Sequence, residues 1–211
     1  STLSSSLAAS DVYKRQGNDS LTGDSGADTL RGGTDNDSLT GGDGNDLLEG
    51  EDGNDWLLDW SGANTLRGGA GNDTISASSL SVLDGGTGDD SLDAVSGSTL
   101  AGGEGDDRLR ITDRSVVTGG AGRDTIITPS FFFSYSSSFA SDWAVVVGDF
   151  AAGATGDVID FSPLLAMGAS AYDGTNPFGA AGYLRLRQDG ADALVEWDRD
   201  GAVSYTHLTL P

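Results

Sequence analysis

Aspartates recur along this chain at intervals that chance does not produce. Asp19, Asp28, Asp37, Asp46 and Asp55 stand nine residues apart, Asp73 follows after eighteen, and Asp90, Asp107 and Asp124 come at steps of seventeen. Two residues beyond each of them is a leucine or an isoleucine, from Leu21 to Ile126. Carboxylates do acid–base work or bind cations, and the composition favours cations. Acidic residues outnumber Lys and Arg 33 to 11, a formal charge of −22, so a folded form repels itself unless something positive binds it. Nucleic acid and anionic membrane are poor partners for the same reason. Zero cysteines exclude disulfides and thiolate metal sites, and the single histidine, His207, falls in a terminal segment set aside below as foreign, so no Ser-His or Cys-His nucleophile system is expected. No apolar run is long enough to span a membrane.

The aspartates sit inside a repeated unit. GGDGNDLLE (Gly41 to Glu49), GEDGNDWLL (Gly50 to Leu58) and GGAGNDTIS (Gly68 to Ser76) share the template G-G-x-G-x-D-x-U-x, with U apolar. This resembles the RTX, or haemolysin-type, calcium-binding nonapeptide. The resemblance implies an all-β fold, a right-handed parallel β-roll or β-helix solenoid with a C-terminal β cap, and Ca2+ as its ligand, about six to eight ions in number. Carried over by position, the metal-binding carboxylates are Asp19, Asp28, Asp37, Asp46, Asp55, Asp73, Asp90, Asp107 and Asp124. The backbone carbonyls are those near Gly32, Gly41, Gly44, Gly50, Gly53, Gly68, Gly71, Gly85, Gly88, Gly102, Gly105, Gly119 and Gly122.

Physical chemistry agrees with that assignment. Ca2+ is a hard cation that takes six to eight oxygens; glycines let a loop turn its carbonyls inward, and an Asp adds charge. Asn at the fifth position (Asn18, Asn36, Asn45, Asn54, Asn72) is expected to supply a left-handed residue there. The apolar eighth position is expected to point inward from a short strand, with neighbours such as Thr74 and Ser76 facing water. The bland alternative is an acidic, glycine-rich linker. A linker has no reason to hold Leu21, Leu30, Leu39, Leu48, Leu57 and Leu66 at intervals of nine. Without metal, however, so little apolar area cannot offset the ordering entropy, and the repeats are expected to be disordered.

A change of period predicts two unlike edges. From Gly68 onward the glycine pairs at Gly68, Gly85, Gly102 and Gly119 lie 17 apart, and the octapeptides between them, ASSLSVLD, AVSGSTLA and ITDRSVVT, have no calcium loop but keep Leu83, Leu100 or Val117. With two units per coil, as the RTX resemblance implies, one edge carries loops starting near Lys14 and at Gly32, Gly50, Gly68, Gly85, Gly102 and Gly119. The other keeps only Gly23 and Gly41, followed by the damaged unit DWSGANTLR, in which Asn64 replaces Asp.

The remaining segments divide the chain as 1–16, 17–127, 128–202 and 203–211. Residues 17–127 are the expected roll. After Ile127 come FFFSY (Phe131 to Tyr135), WAVVV (Trp143 to Val147), GDF, GDVIDFS and the strand pair of GYLRLRQDGADALVEWDRDG, read as a cap; the last two motifs resemble the C-terminal region of type I-secreted bacterial proteins. DVYKRQ (Asp11 to Gln16) and VSYTHL (Val203 to Leu208) resemble translated sequencing adapter, so 1–16 and 203–211 are set aside as foreign, 1–16 as disordered, and the natural termini, including any export signal, are expected to be missing.

The resulting expectation is calcium-driven folding of a secreted, extracellular protein from a Gram-negative bacterium, monomeric, with type I secretion machinery as partner of the intact parent and no nucleic acid or membrane span. Two other readings stay open: the C-terminal fragment of a secreted enzyme (protease or lipase) or toxin, and an adhesive solenoid. The fragment itself is expected to be non-catalytic, and its mixed outward residues (Thr29, Arg31, Glu49, Trp56, Arg108) speak against an adhesive array.

Overall fold

Each nonapeptide alternates a glycine-rich turn with a short apolar-centred run, and in the computed structural model this produces two stacks of strands facing each other. The structure describes residues 2–4, 11–13, 16–110, 112, 114–127, 145–147, 149, 156–160, 184–189, 192–198 and 205–210. One stack contains β1 (Thr2–Ser4), β3 (Ser20–Ser25), β5 (Ser38–Asp43), β7 (Trp56–Asp59), β9 (Thr74–Ala77), β11 (Ser91–Ala94), β13 (Arg108–Arg110), β15 (Thr125–Ile127) and β17 (Val158–Asp160). The other contains β2 (Asp11–Tyr13), β4 (Thr29–Thr34), β6 (Leu47–Asp52), β8 (Thr65–Ala70), β10 (Val82–Thr87), β12 (Thr99–Glu104), β14 (Val116–Ala121) and β16 (Val145–Val147). Every pairing within these runs is parallel, so the chain is a parallel β-solenoid of about six turns, with no helix among the described residues.

Register puts like on like. Leu21, Leu39, Leu57, Ile75, Leu92, Leu109 and Ile126 form one inward column, and Leu30, Leu48, Leu66, Leu83, Leu100, Val117 and Val147 the facing one, all at most 1% exposed. The core is thus two side chains wide. It buries too little apolar area per coil to hold seventeen or eighteen residues in place by itself.

Outward positions mix exposed apolar side chains such as Trp56, Val82 and Val116 with matched charges: Glu49 bridges Arg31 and Arg67 across β4, β6 and β8, with Arg67 Nη1 3.1 Å from its carboxylate. The second positions of the loops carry positive φ, as at Gly42 (+114°), and so do the fourth, as at Gly44 (+147°), where a Cβ would collide with the carbonyl of Gly26 in the preceding coil.

Asn at the fifth position has a different job from the one expected. None of Asn18, Asn36, Asn45, Asn54 and Asn72 has positive φ. Instead the amide oxygen of Asn36 accepts the N–H of Asn54 at 2.8 Å, and that of Asn54 accepts the N–H of Asn72 at 2.7 Å, an exposed ladder along the turn.

Strand pairing also runs on at both ends. Within 1–16, set aside in the sequence as foreign and disordered, β1 pairs with β3 and β2 with β4; an unpaired parallel edge offers a row of N–H and C=O groups to any adjacent chain. Val145–Val147 of WAVVV and Val158–Asp160 of GDVIDFS extend the two stacks of the solenoid, since β16 pairs with β14 and β17 with β15. Beyond it β18 (Leu184–Asp189) and β19 (Asp192–Asp198) form the antiparallel pair read from Gly182 to Gly201, and β20 (Tyr205–Leu210) joins β19 to β16. Phe131 to Tyr135 fall outside the described residues.

Candidate metal centre

Turns from the even to the odd strands make one edge, and there each aspartate spends nearly all of its polar groups on the neighbouring coils. Asp37 Oδ1 accepts the N–H of Asp19 at 2.7 Å, and the same bond repeats from Asp37 to Asp55, Asp55 to Asp73, Asp73 to Asp90 (each 2.7 Å), Asp90 to Asp107 (2.8 Å) and Asp107 to Asp124 (3.0 Å). The main-chain carbonyls of this column accept the N–H two residues beyond position five of the next coil, as Asp37 does from Trp56 and Asp55 from Thr74. One atom is left over. The Oδ2 atoms of Asp55, Asp73, Asp90, Asp107 and Asp124 are buried and accept no hydrogen bond.

Those oxygens point into a cradle that only glycine leaves open. A Cβ on Gly50 would meet Asp55 Oδ2 and, at 2.6 Å, the carbonyl oxygen of Gly68; one on Gly68 would meet Asp73 Oδ2 and, at 2.6 Å, the carbonyl oxygen of Gly85. No three carboxylate or imidazole side chains converge among the described residues. What meets in each cradle is a carboxylate oxygen with backbone carbonyls, a donor set that suits a hard, carbonyl-tolerant cation such as Ca2+ and lacks the nitrogen and sulfur ligands of zinc.

Electrostatics make the same point. Burial pushes the carboxyls of Asp55, Asp90 and Asp107 up to about 6 and that of Asp73 to about 7, against the lowering effect of the ladder N–H groups, and nearby carboxylates, inside the column and outside it, push in the same direction as burial. Asp124 is raised for the same leading reason. A stack of buried like charges is costly until something positive neutralises it.

The opposite edge starts the same way and then changes. Asp46 Oδ1 accepts the N–H of Asp28 at 2.7 Å, Asn64 Oδ1 that of Asp46 at 2.9 Å, Ser81 Oγ that of Asn64 at 3.1 Å, and Ser98 Oγ that of Ser81 at 3.2 Å. The ladder persists while its acceptors shrink from carboxylate to amide to hydroxyl.

Comparison with known families decides what these loops are. The model of the RTX calcium-binding nonapeptide repeat (4 copies) matches residues 15–39, 22–57, 40–75, 61–79 and 113–128. The chain carries RTX repeats. Repeats of this family bind calcium, and no helix among the described residues is long and apolar enough to cross a membrane. No curated protein matches the chain. Among solved structures, the extracellular lipase LipA from Serratia marcescens aligns at 17% identity with a TM-score of 0.21, covering 94% of this chain and 38% of the lipase. The chain thus spans well under half the lipase's length, and a likeness at that score transfers neither fold nor activity.

Within the RTX loops, the structure brings Asp19, Asp37, Asp55, Asp73, Asp90, Asp107 and Asp124 into one buried column, and Asp28 and Asp46 into the other. The carbonyls of Gly41, Gly50, Gly68, Gly85, Gly102 and Gly119 face the first glycine of the preceding loop on their edge; those of Gly44, Gly53, Gly71, Gly88 and Gly105 face the fourth position of the following loop.

Three acids escaped sequence reasoning. Asp157 continues the long column, its Oδ1 accepting the N–H of Asp124 at 3.0 Å, and Asp149 accepts the N–H groups of Gly119 and Gly120, each at 2.9 Å, closing the last glycine pair. Their only signal was an Asp after Gly in GDF and GDVID, without the flanking template. The third, Asp59, stands where the template has its first glycine. It is 1% exposed, and its Oδ2 also accepts no hydrogen bond.

Proposed function

We propose that this RTX roll is a calcium-gated folding module of a secreted protein, disordered at low Ca2+ and folded at extracellular Ca2+. The observation that supports it best is the column of buried Oδ2 atoms without acceptor work, each beside a carbonyl of the adjacent coil. Asp37, Asp55, Asp73, Asp90, Asp107 and Asp124, with Asp28 and Asp46 on the short edge and the glycine carbonyls named above, are the proposed ligands, for about six to eight ions. Asp19 is the column's outermost member.

With sub-micromolar Ca2+ in a cytosol, carboxylate repulsion keeps the repeats open and threadable. Outside, sites with dissociation constants on the order of 10⁻⁴ to 10⁻³ M fill and fold the roll. We assign the fragment a binding and folding role, with type I secretion machinery as partner of the whole protein, an extracellular location and a monomeric state.

The test is circular dichroism during a calcium titration. The chain is expected to show little β structure in EDTA and to gain it cooperatively with Ca2+, whereas Mg2+, with its small octahedral shell, substitutes poorly. A β spectrum that is already complete in chelator rejects the proposal.

A further inference from the structure

We infer that Asp46 and Asp59 together form a two-carboxylate site for a divalent cation, Ca2+ in this roll, which closes the short row. The inference rests on the calcium reading above but concerns a residue that the repeat template does not contain.

The first loop position on the short edge reads Gly23, Gly41, Asp59, Ala77 and Ala94 through successive coils. Asp59 therefore falls at the switch between loops with glycine and turns with alanine. In the preceding cradle, a Cβ on Gly23 would meet Asp28 Oδ2 at 2.7 Å and the carbonyl of Gly41. In the next, a Cβ on Gly41 would meet Asp46 Oδ2 at 2.6 Å and, in place of a carbonyl, the Oδ2 of Asp59. Both residues are at least nine-tenths buried, both Oδ2 atoms accept no hydrogen bond, and neither residue joins an ion pair among the described residues. Asp59 Oδ1 is held by the N–H of Ser61 at 3.2 Å and Asp46 Oδ1 by that of Asp28, which leaves both second oxygens at the Gly41 cradle.

The step beyond is shut. Asn64 keeps its oxygen on the Asp46 N–H, so its Nδ2 must occupy the position of the missing second oxygen, where it donates to the carbonyl of Ser61 at 3.0 Å. An N–H donor repels a cation. The row thus ends at the Asp46–Asp59 cradle, and the second carboxylate supplies charge that no following loop can contribute.

Ca2+ binding to the full chain is measured by calorimetric titration and equilibrium dialysis, alongside Tb3+ luminescence sensitised by tryptophan. Asp59→Asn, which keeps shape and removes charge, is expected to bind one ion fewer per chain, or to weaken one site about tenfold or more, with the other sites unchanged. Trp60, half-exposed beside Asp59, reports on the same place without supporting the core. The emission lost in Trp60→Phe is expected to vanish in Asp59→Asn as well. Unchanged stoichiometry and affinity in Asp59→Asn, or Trp60-dependent emission that is absent or survives Asp59→Asn, overturns this site while leaving the roll's calcium binding intact. A natural chain that takes up no Ca2+ overturns the calcium reading and this site with it.

Discussion

Along the edge from Asp37 to Asp124 every turn hands a backbone N–H to a buried carboxylate of the next coil, while along the other edge the same N–H passes from Asp46 to Asn64, Ser81 and Ser98. Both edges bend the chain between the same two stacks, and both satisfy the buried N–H. Carboxylate, amide and hydroxyl all serve as that acceptor, the last two at somewhat longer distances, so the ladder alone does not require Asp. What sets the long edge apart is the oxygen the ladder leaves over. In the proposed reading, Oδ1 belongs to the fold and Oδ2 to the cation.

This division is broken most forcefully by Asp107→Ala, which removes both oxygens. Calcium affinity is expected to fall about tenfold or more with loss of cooperativity, and the Asp90 N–H is left buried without an acceptor. Asp107→Ser transplants the serine solution: the affinity loss remains, but in chelator the variant is no less ordered than the natural chain. Calorimetric calcium titration and circular dichroism on both variants check the pair. Equal affinity in Asp107→Ser and the natural chain contradicts the separation of roles.

Acid sharpens the contrast without mutation. The carboxyls of Asp55, Asp90 and Asp107 are raised to about 6 and that of Asp73 to about 7, above the ordinary 3.8 that they recover on unfolding. Their contribution to stability is therefore fully present below about 4 and is lost as pH rises through about 6 to 7. In EDTA, acidification across that window is expected to increase β structure. In Ca2+ the sign reverses, because protons compete for the same oxygens, and the calcium midpoint moves to higher concentration. Dichroism titrations at several pH values, with and without chelator, check both signs.

On the serine edge, Ser98→Ala removes the acceptor of the Ser81 N–H and is expected to cost about 1–3 kcal/mol in thermal or denaturant unfolding of the calcium form, with calcium stoichiometry unchanged. Leu80, exposed and at φ +62° in the first degenerate turn, gives the smallest effect. Leu80→Gly relieves the left-handed strain against a more flexible unfolded chain, and a gain of about 1 kcal/mol or less is expected in the same measurement.

Much of this architecture was legible in the residues. Fixed spacing between Asp and the following Leu or Ile is enough to stack coils in register, and the drop from eighteen to seventeen residues per coil separates the two edges before any coordinates. Asp59 was not legible, because a template read position by position scores an acid in a glycine slot as damage, and only the neighbouring coil reveals where its oxygen points. Asp149 and Asp157 were hidden because their coil has lost the glycine pair and kept only the strand pairing. The fifth-position asparagines were noticed for the wrong property: side-chain hydrogen bonding to the next coil, and not backbone tolerance, explains them.

The unequal edges also set how the roll comes apart. Without ions, repulsion between buried carboxylates runs the whole length of one edge, while on the other it stops at Asp59 and the rungs from Asn64 through Ser81 to Ser98 carry no charge. Loss of the roll in chelator is then expected to begin at the aspartate edge of the middle coils, with the serine edge, like the spine of a book, the last part to let go.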